Sequence, residues 1–197
     1  MSRPDALPIP AQYRVSAFTK PDVFDQWGKD AAGVRALSMD DATITMFEMI
    51  GEDYWSGGGI TAKKVASQLR AIGDRPVTIQ INSPGGDMFE GIAIYNVLRE
   101  HPQPIKVQVM GMAASAASVI AMAGDDVQVG ASSFIMIHNC WVMAMGNRND
   151  MRELADWLEP FDSAMTGLYA QRTGRDAKEI AAWMDKETYM SGTQAVE

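Results

Sequence analysis

Hydrophobic positions change period repeatedly along this chain, and the changes mark its elements. Thr43-Ile-Thr-Met-Phe-Glu-Met-Ile50 alternates and is predicted to be a strand, followed by a loop from Gly51 to Gly59 that ends in three glycines. Thr61 caps a helix predicted from Ala62 to Ile72, in which Val65, Leu69 and Ile72 fall on one face at spacings of four and three. The turn Gly73-Asp-Arg-Pro76 leads into a β-branched strand, Val77-Thr-Ile-Gln-Ile81. Met88 to Glu100 is helical, with Ile92, Tyr95 and Leu98 three apart, and His101-Pro-Gln-Pro104 ends it because proline disfavours a helical residue before it. Ile105 to Met110 is the next strand and Ala114 to Ala123 the next helix, followed by strands at Asp126 to Gly130 and Ser133 to Ile137.

Strands alternating with helices in this way indicate an α/β fold built from βαβ units with right-handed crossovers. From Asn149 the pattern changes. Leu154, Leu158, Phe161, Met165 and Leu168 recur at roughly helical spacing through a stretch predicted from Asp150 to Thr173, where Gly174 stops it and Pro160 should kink it or reset its start. A last helix, Ala177 to Met184, begins at Asp176 and precedes the extended Glu187-Thr-Tyr-Met190. Ser191 to Glu197 reads as the cap and first turn of another helix, so the chain is expected to be truncated at its C-terminus. Residues 1 to about 40 show no sustained periodicity and read as an irregular arm with one short helix near Val23 to Trp27, leaving one domain over residues 41–197.

Composition narrows the function class. A net charge of −8 and the lack of any basic block argue against nucleic-acid binding, which needs Lys and Arg to neutralise phosphates. The chain starts without the apolar core of a signal peptide and has no run of about 18 apolar residues, so neither secretion nor a membrane span is expected. The single cysteine, Cys140, can form no intrachain disulfide and no cysteine-based zinc site, and fits a reducing cytoplasm. The 15 methionines are scattered through apolar runs, as flexible core fillers would be.

Candidate chemistry gathers between Ile79 and His138. Ser115 stands where a strand ends and a helix of small residues begins; amides and dipole there favour an alkoxide and a neighbouring oxyanion. The competing reading makes Ser115 an N-cap and the alanines around it close-packing positions. Asn82-Ser-Pro-Gly-Gly86 follows a strand and precedes a helix, and its paired glycines can turn amides toward a bound group; the amides near Gly86 and Ala116 are the expected oxyanion hole. No phosphate-loop motif occurs there, and a plain turn also explains the glycines. Ser83 suits the turn better than it suits attack.

The two histidines, His101 and His138, are the candidates for a general base at neutral pH. His101 lies in a proline-flanked polar loop and is expected to be solvated, whereas His138 ends an apolar strand, as a general base or as a hydrogen-bonded structural histidine. Cys140 is read as a buried thiol. A carboxylate should orient the histidine, and Asp185 and Glu187 are the candidates.

Together these residues resemble the Clp protease proteolytic subunit family, and within it the phage ClpP-like prohead or head-maturation proteases. Ile81-Asn-Ser-Pro-Gly-Gly86 is similar to the family's oxyanion turn, Gly111-Met-Ala-Ala-Ser115-Ala116 to its nucleophile segment, Met136-Ile-His138-Asn to its histidine segment, and Tyr189-Met-Ser-Gly-Thr-Gln-Ala-Val-Glu197 to its final helix entry. The resemblance, over roughly Thr43 to Glu197, implies a ClpP/crotonase-like fold of repeated ββα units with a helical handle after His138. It also implies peptide hydrolysis through an acyl-enzyme, no metal or organic cofactor, a polypeptide substrate, and homo-oligomeric, stacking rings. The family's aspartate aligns with Glu187, and its glycines after the histidine are replaced by Asn139-Cys-Trp-Val-Met. The N-terminal arm does not match the family's axial loops, so docking of an ATP-driven unfoldase is not carried over. Two alternatives remain: an inactive ring-forming assembly factor, and a crotonase-type acyl-CoA enzyme that uses the same amides on a thioester.

Overall fold

A computed structural model describes residues 34–36, 42–52 and 58–196. The short helix expected near Val23 to Trp27 lies outside the described residues. Among the described residues seven strands form one sheet: β1 (Val34–Ala36), β2 (Thr43–Met46), β3 (Val77–Ser83), β4 (Ile105–Ala114), β5 (Asp126–Val129), β6 (Phe134–Ile137) and β7 (Thr188–Ser191). Their order is β1-β2-β3-β4-β6-β7, with β5 also on β4; β1 and β7 pair antiparallel at the two ends and every other pairing is parallel. The α/β class is as expected. Strand β1 is an addition, since it falls in the segment read as an irregular arm.

Among the described residues five α-helices accompany the sheet: α1 (Ala62–Ile72), α2 (Met88–Arg99), α3 (Ala116–Ala121), α4 (Arg148–Thr173) and α5 (Ala177–Asp185). Helix α1 has the predicted bounds because its signals are local: the Thr61 hydroxyl accepts from Lys64 N, Gly73 ends it at φ 75°, and Val65, Leu69 and Ile72 are its buried stripe. Asp87 caps α2 in the same way by accepting from Glu90 N. Along β3 burial alternates, so Ile79 and Ile81 are fully enclosed with Val107 and Val109 of β4 in a core that also takes Val65, Ile94 and Ile120.

Strand β4 departs from expectation and thereby builds the site. It runs on to Ala114 instead of stopping at Met110, and α3 is two residues shorter than expected at each end. Its first half, Lys106 to Val109, pairs with β5; its last residues, Met112 to Ala114, pair with Phe134 to Met136 of β6. Those ladder bonds outweigh the helix preference of Ala113 and Ala114, a weak local bias that tertiary pairing overrides. Opposite the change of partner, β3 is irregular between Ile81 and Ser83, and Asn82 Oδ1 accepts from Met112 N at 3.2 Å.

A second apolar cluster, Val119, Ile135, Ile137, Met165, Tyr169, Ile180 and Met184, joins α3 and β6 to α4 and α5. Helix α4 runs through Pro160 without a reset. Asp156, whose carbonyl the proline leaves unbonded, is exposed, so water can satisfy it.

Candidate active site

Ser115 follows the last β4 residue and has φ 54° and ψ −125°. Only Ala42, Ser115 and Glu187 among the described non-glycine residues have positive φ, a conformation that costs about 1–3 kcal/mol and persists where surroundings over-determine it. The surroundings are visible. Ser115 N donates to Met136 O at 2.9 Å, while Ser115 O accepts from Ser118 N at 2.9 Å, Val119 N at 3.3 Å and the Ser118 hydroxyl at 2.6 Å. Ser118 has one hydroxyl proton and spends it on Ser115 O, so at 2.7 Å the buried Tyr169 hydroxyl is the donor to Ser118 Oγ. Helix α4 thus reaches the serine turn through one relay.

The Ser115 side chain makes no capping bond, so the N-cap reading does not describe it. Its Oγ lies 2.7 Å from His138 Nε2. Register explains the meeting: Ala114 pairs with Met136 across parallel strands, so both side chains leave the same end of the sheet just past it. Burial holds the His138 imidazole below the usual histidine range, opposed first by the charge of Glu187 and then by that of Asp162. A neutral ring with its proton on Nδ1 can accept the Ser115 proton at Nε2.

The carboxylates are less direct. Glu187 lies one position past the Ile137–Thr188 pair and so stands opposite His138, but its Oε1 accepts from the Tyr189 hydroxyl at 3.2 Å. Asp185 Oδ1 is taken by Asn139 Nδ2 at 2.8 Å. No hydrogen bond joins His138 Nδ1 to either carboxylate among the described residues. A further carboxylate, unexpected from the sequence, is close by: Asp162 Oδ1 of α4 accepts from Cys140 N at 2.6 Å.

The glycine turn abuts the serine. A Cβ on Gly85, at φ 92°, would lie 2.5 Å from Ala114 O and 2.7 Å from Ser115 Cβ, so only glycine fits. Gly85 O and Asp87 N are both paired with Ile50, whereas Gly86 N has no acceptor among the described residues. Ala116 N, the first amide of α3, has none within its helix. These are the two amides expected as an oxyanion hole. Ser83 is fully buried, its hydroxyl donating to Glu48 O at 2.6 Å and accepting from Gly85 N at 3.2 Å, which makes it a brace of the turn.

The other candidates are engaged outside the Ser115–His138 pair. His101 Nε2 lies 2.8 Å from Arg75 O. Burial and the nearby Asp162 push the Cys140 thiol up to about 12, and its Sγ packs on Met88 Sδ. Ala116 and Ala117 are buried, with Ala116 against Gly91 of α2, so these small side chains serve close packing. Ser118, Tyr169 and Asp162 were missed by sequence reasoning; Ser118 three residues after Ser115 was the one local clue.

A family profile described as Clp protease matches residues 58–197. The chain is 30% identical over 143 residues to an ATP-dependent Clp protease proteolytic subunit 1 of Prochlorococcus marinus, covering 70% of this chain and 73% of that protein. Its fold is similar to that of a ClpP1 mutant from Listeria monocytogenes, with a TM-score of 0.67 and 23% identity over 80% of this chain and 86% of the other.

Proposed function

This chain belongs to the Clp protease family, and from that premise we propose that it is a serine-type endopeptidase acting through Ser115. The observation that carries this is the 2.7 Å contact between Ser115 Oγ and His138 Nε2, on a turn whose neighbouring amides, Gly86 and Ala116, lack acceptors. In the reaction, Ser115 Oγ attacks the scissile carbonyl as its proton passes to His138 Nε2, and the two amides receive the oxyanion. His138 returns the proton to the leaving amine, which departs and leaves an acyl-enzyme. Water then attacks the ester with His138 again as base, freeing the acid and Ser115. Glu187 stabilises the imidazolium by charge. An acyl-CoA reading would use the same amides but leaves the Ser115–His138 pair without a task.

The finer proposal is that the substrate is a capsid or scaffold protein of a phage head, cut without an ATP-driven unfoldase in the host cytoplasm. It is supported by the motif resemblance and by an N-terminal arm that does not resemble the family's axial loops. Ring assembly is supported by the exposure of α4 and the segment before it, where Trp141, Met143, Met145 and Met151 are exposed. A catalytically weak ring-former is the second reading, favoured by the Glu187–Tyr189 bond that occupies the expected orienting carboxylate.

The test is cleavage of unfolded casein without nucleotide or partner, by the native chain and by Ser115→Ala. The proposal expects cleavage by the first and a loss of about 10³-fold or more in the second; equal rates contradict it. Cleavage that appears only with an added unfoldase contradicts ATP independence alone.

A further inference from the structure

The segment that carries His138 is pinned immediately after the histidine by two carboxylates from two different helices. Asn139 Nδ2 donates to Asp185 Oδ1 at 2.8 Å, and Cys140 N donates to Asp162 Oδ1 at 2.6 Å. The two differ in setting. Asp185 is exposed, whereas Asp162 is half-buried beside the apolar contact of Met88 with Cys140 and next to Phe161, whose ring meets Phe89 edge-on at 5.5 Å. A charge in such a place is screened less by water, so it acts on neighbouring groups over a longer distance.

Asp162 also has a defined place on its helix. It lies seven residues before Tyr169, and two turns bring them to one face with Met165 between them. Met165 and Tyr169 are the buried residues of α4. The same stripe therefore touches the serine turn through Tyr169 and the histidine segment through Asp162.

We propose that Asp162 is a positioning residue for His138, fixing the exit of its strand through Cys140 N and supplying, with Glu187, the negative charge that stabilises the protonated imidazole. This rests on the peptidase reading above. The acidic role is then divided between a carboxylate opposite the histidine on the approach to β7 and another on α4, which accounts for a site in which neither Glu187 nor Asp185 bonds the ring. Ser115 from the β4–α3 turn bonds His138, and the charges that act on it are Glu187 before β7 and Asp162 from α4; Cys140, two residues on, packs its neutral thiol on Met88. Burial lowers the affinity of His138 for a proton, and both carboxylates oppose that effect. Removing either charge must therefore lower the affinity further.

The chain has two histidines, so imidazole titration by NMR gives two curves, assigned with His101→Gln. Asp162→Asn keeps an oxygen for Cys140 N and removes only the charge. The proposal expects the His138 midpoint to fall by about half a pH unit in Asp162→Asn and further in Glu187→Gln. The acid limb of kcat/KM should move to lower pH by the same amount while kcat drops about three- to tenfold at an unchanged KM. An unmoved midpoint in Asp162→Asn overturns the proposal, including the case where Asp162→Ala alone is impaired, which would make the residue a structural anchor. A midpoint that falls in a protein with no Ser115-dependent cleavage would sink the peptidase reading and leave the coupling of Asp162 to His138 standing. Cleavage with an unmoved midpoint would do the reverse.

Discussion

Helices α3 and α4 meet where the Tyr169 hydroxyl bonds Ser118, and they are built in opposite ways. All six residues of α3 are buried, from Ala116 to Ala121, and its small side chains let Gly91 of α2 press against Ala116. Helix α4 has 26 residues, of which Met165 and Tyr169 are buried. A fully enclosed short helix can hold its first amide and the preceding serine in fixed geometry, because packing leaves no room for adjustment. A long, exposed helix contributes through a few contacts and offers the rest of its surface to something else. On the proposed mechanism the nucleophile would depend on close packing, and the base on the charges of exposed Glu187 and half-buried Asp162.

The comparison can be broken most severely at the serine turn. His138→Ala should lower kcat by about 10⁴-fold while the fold survives, since the side chain is only half-buried; kinetics and circular dichroism on the same sample check both halves. Gly85→Ala combines an unfavourable φ of 92° with a clash into Ala114 O and Ser115 Cβ. It should cost about 3 kcal/mol or more in denaturant unfolding and remove activity as well.

On the α4 side the expected effects shrink. Tyr169→Phe removes the donor to Ser118 Oγ but leaves the ring in the apolar cluster, so a loss of about 1 kcal/mol is expected, with acylation slowed more than substrate binding. Met145→Ser, at a side chain 93% exposed, should change monomer stability by less than about 0.5 kcal/mol, and a larger loss would show that α4 and its approach are not the open face described.

The smallest effect is far from the site. Asp125 is held below the ordinary aspartate range by its bond to Ile105 N and then by Arg99. Its carboxylate favours the folded state above the unfolded aspartate pKa of about 3.9, and that contribution disappears as pH falls through the depressed folded value. Asp125→Asn should therefore be slightly less stable than the native chain at pH 7 and converge with it in acid.

What was legible in the sequence follows from the range of the forces involved. Helix α1 could be bounded to the residue because Thr61, Gly73 and its apolar stripe all act within a few positions. Ser115 and His138 could be paired because four motifs in one order identify a family, not because spacing alone brings residues 23 apart together. The end of β4 was misjudged because Ala113 and Ala114 look helical in isolation, and only the ladder to Ile135 and Met136 makes them a strand. Asp162 was invisible for a similar reason: one acidic residue on an amphipathic helix looks solvated until the fold brings Cys140 N to it. Pro160 misled in the other direction, because a helix exposed on that side tolerates an unbonded carbonyl.

The central claim is that Ser115 is an activated nucleophile, and the most direct measurement is its rate of modification by a fluorophosphonate, located by peptide mass spectrometry. Ser115 should be modified, Ser83 and Ser118 should not, and His138→Ala should slow the reaction by at least about 10²-fold. A native chain left unmodified while its fold is intact, or one modified equally fast without His138, would contradict the account.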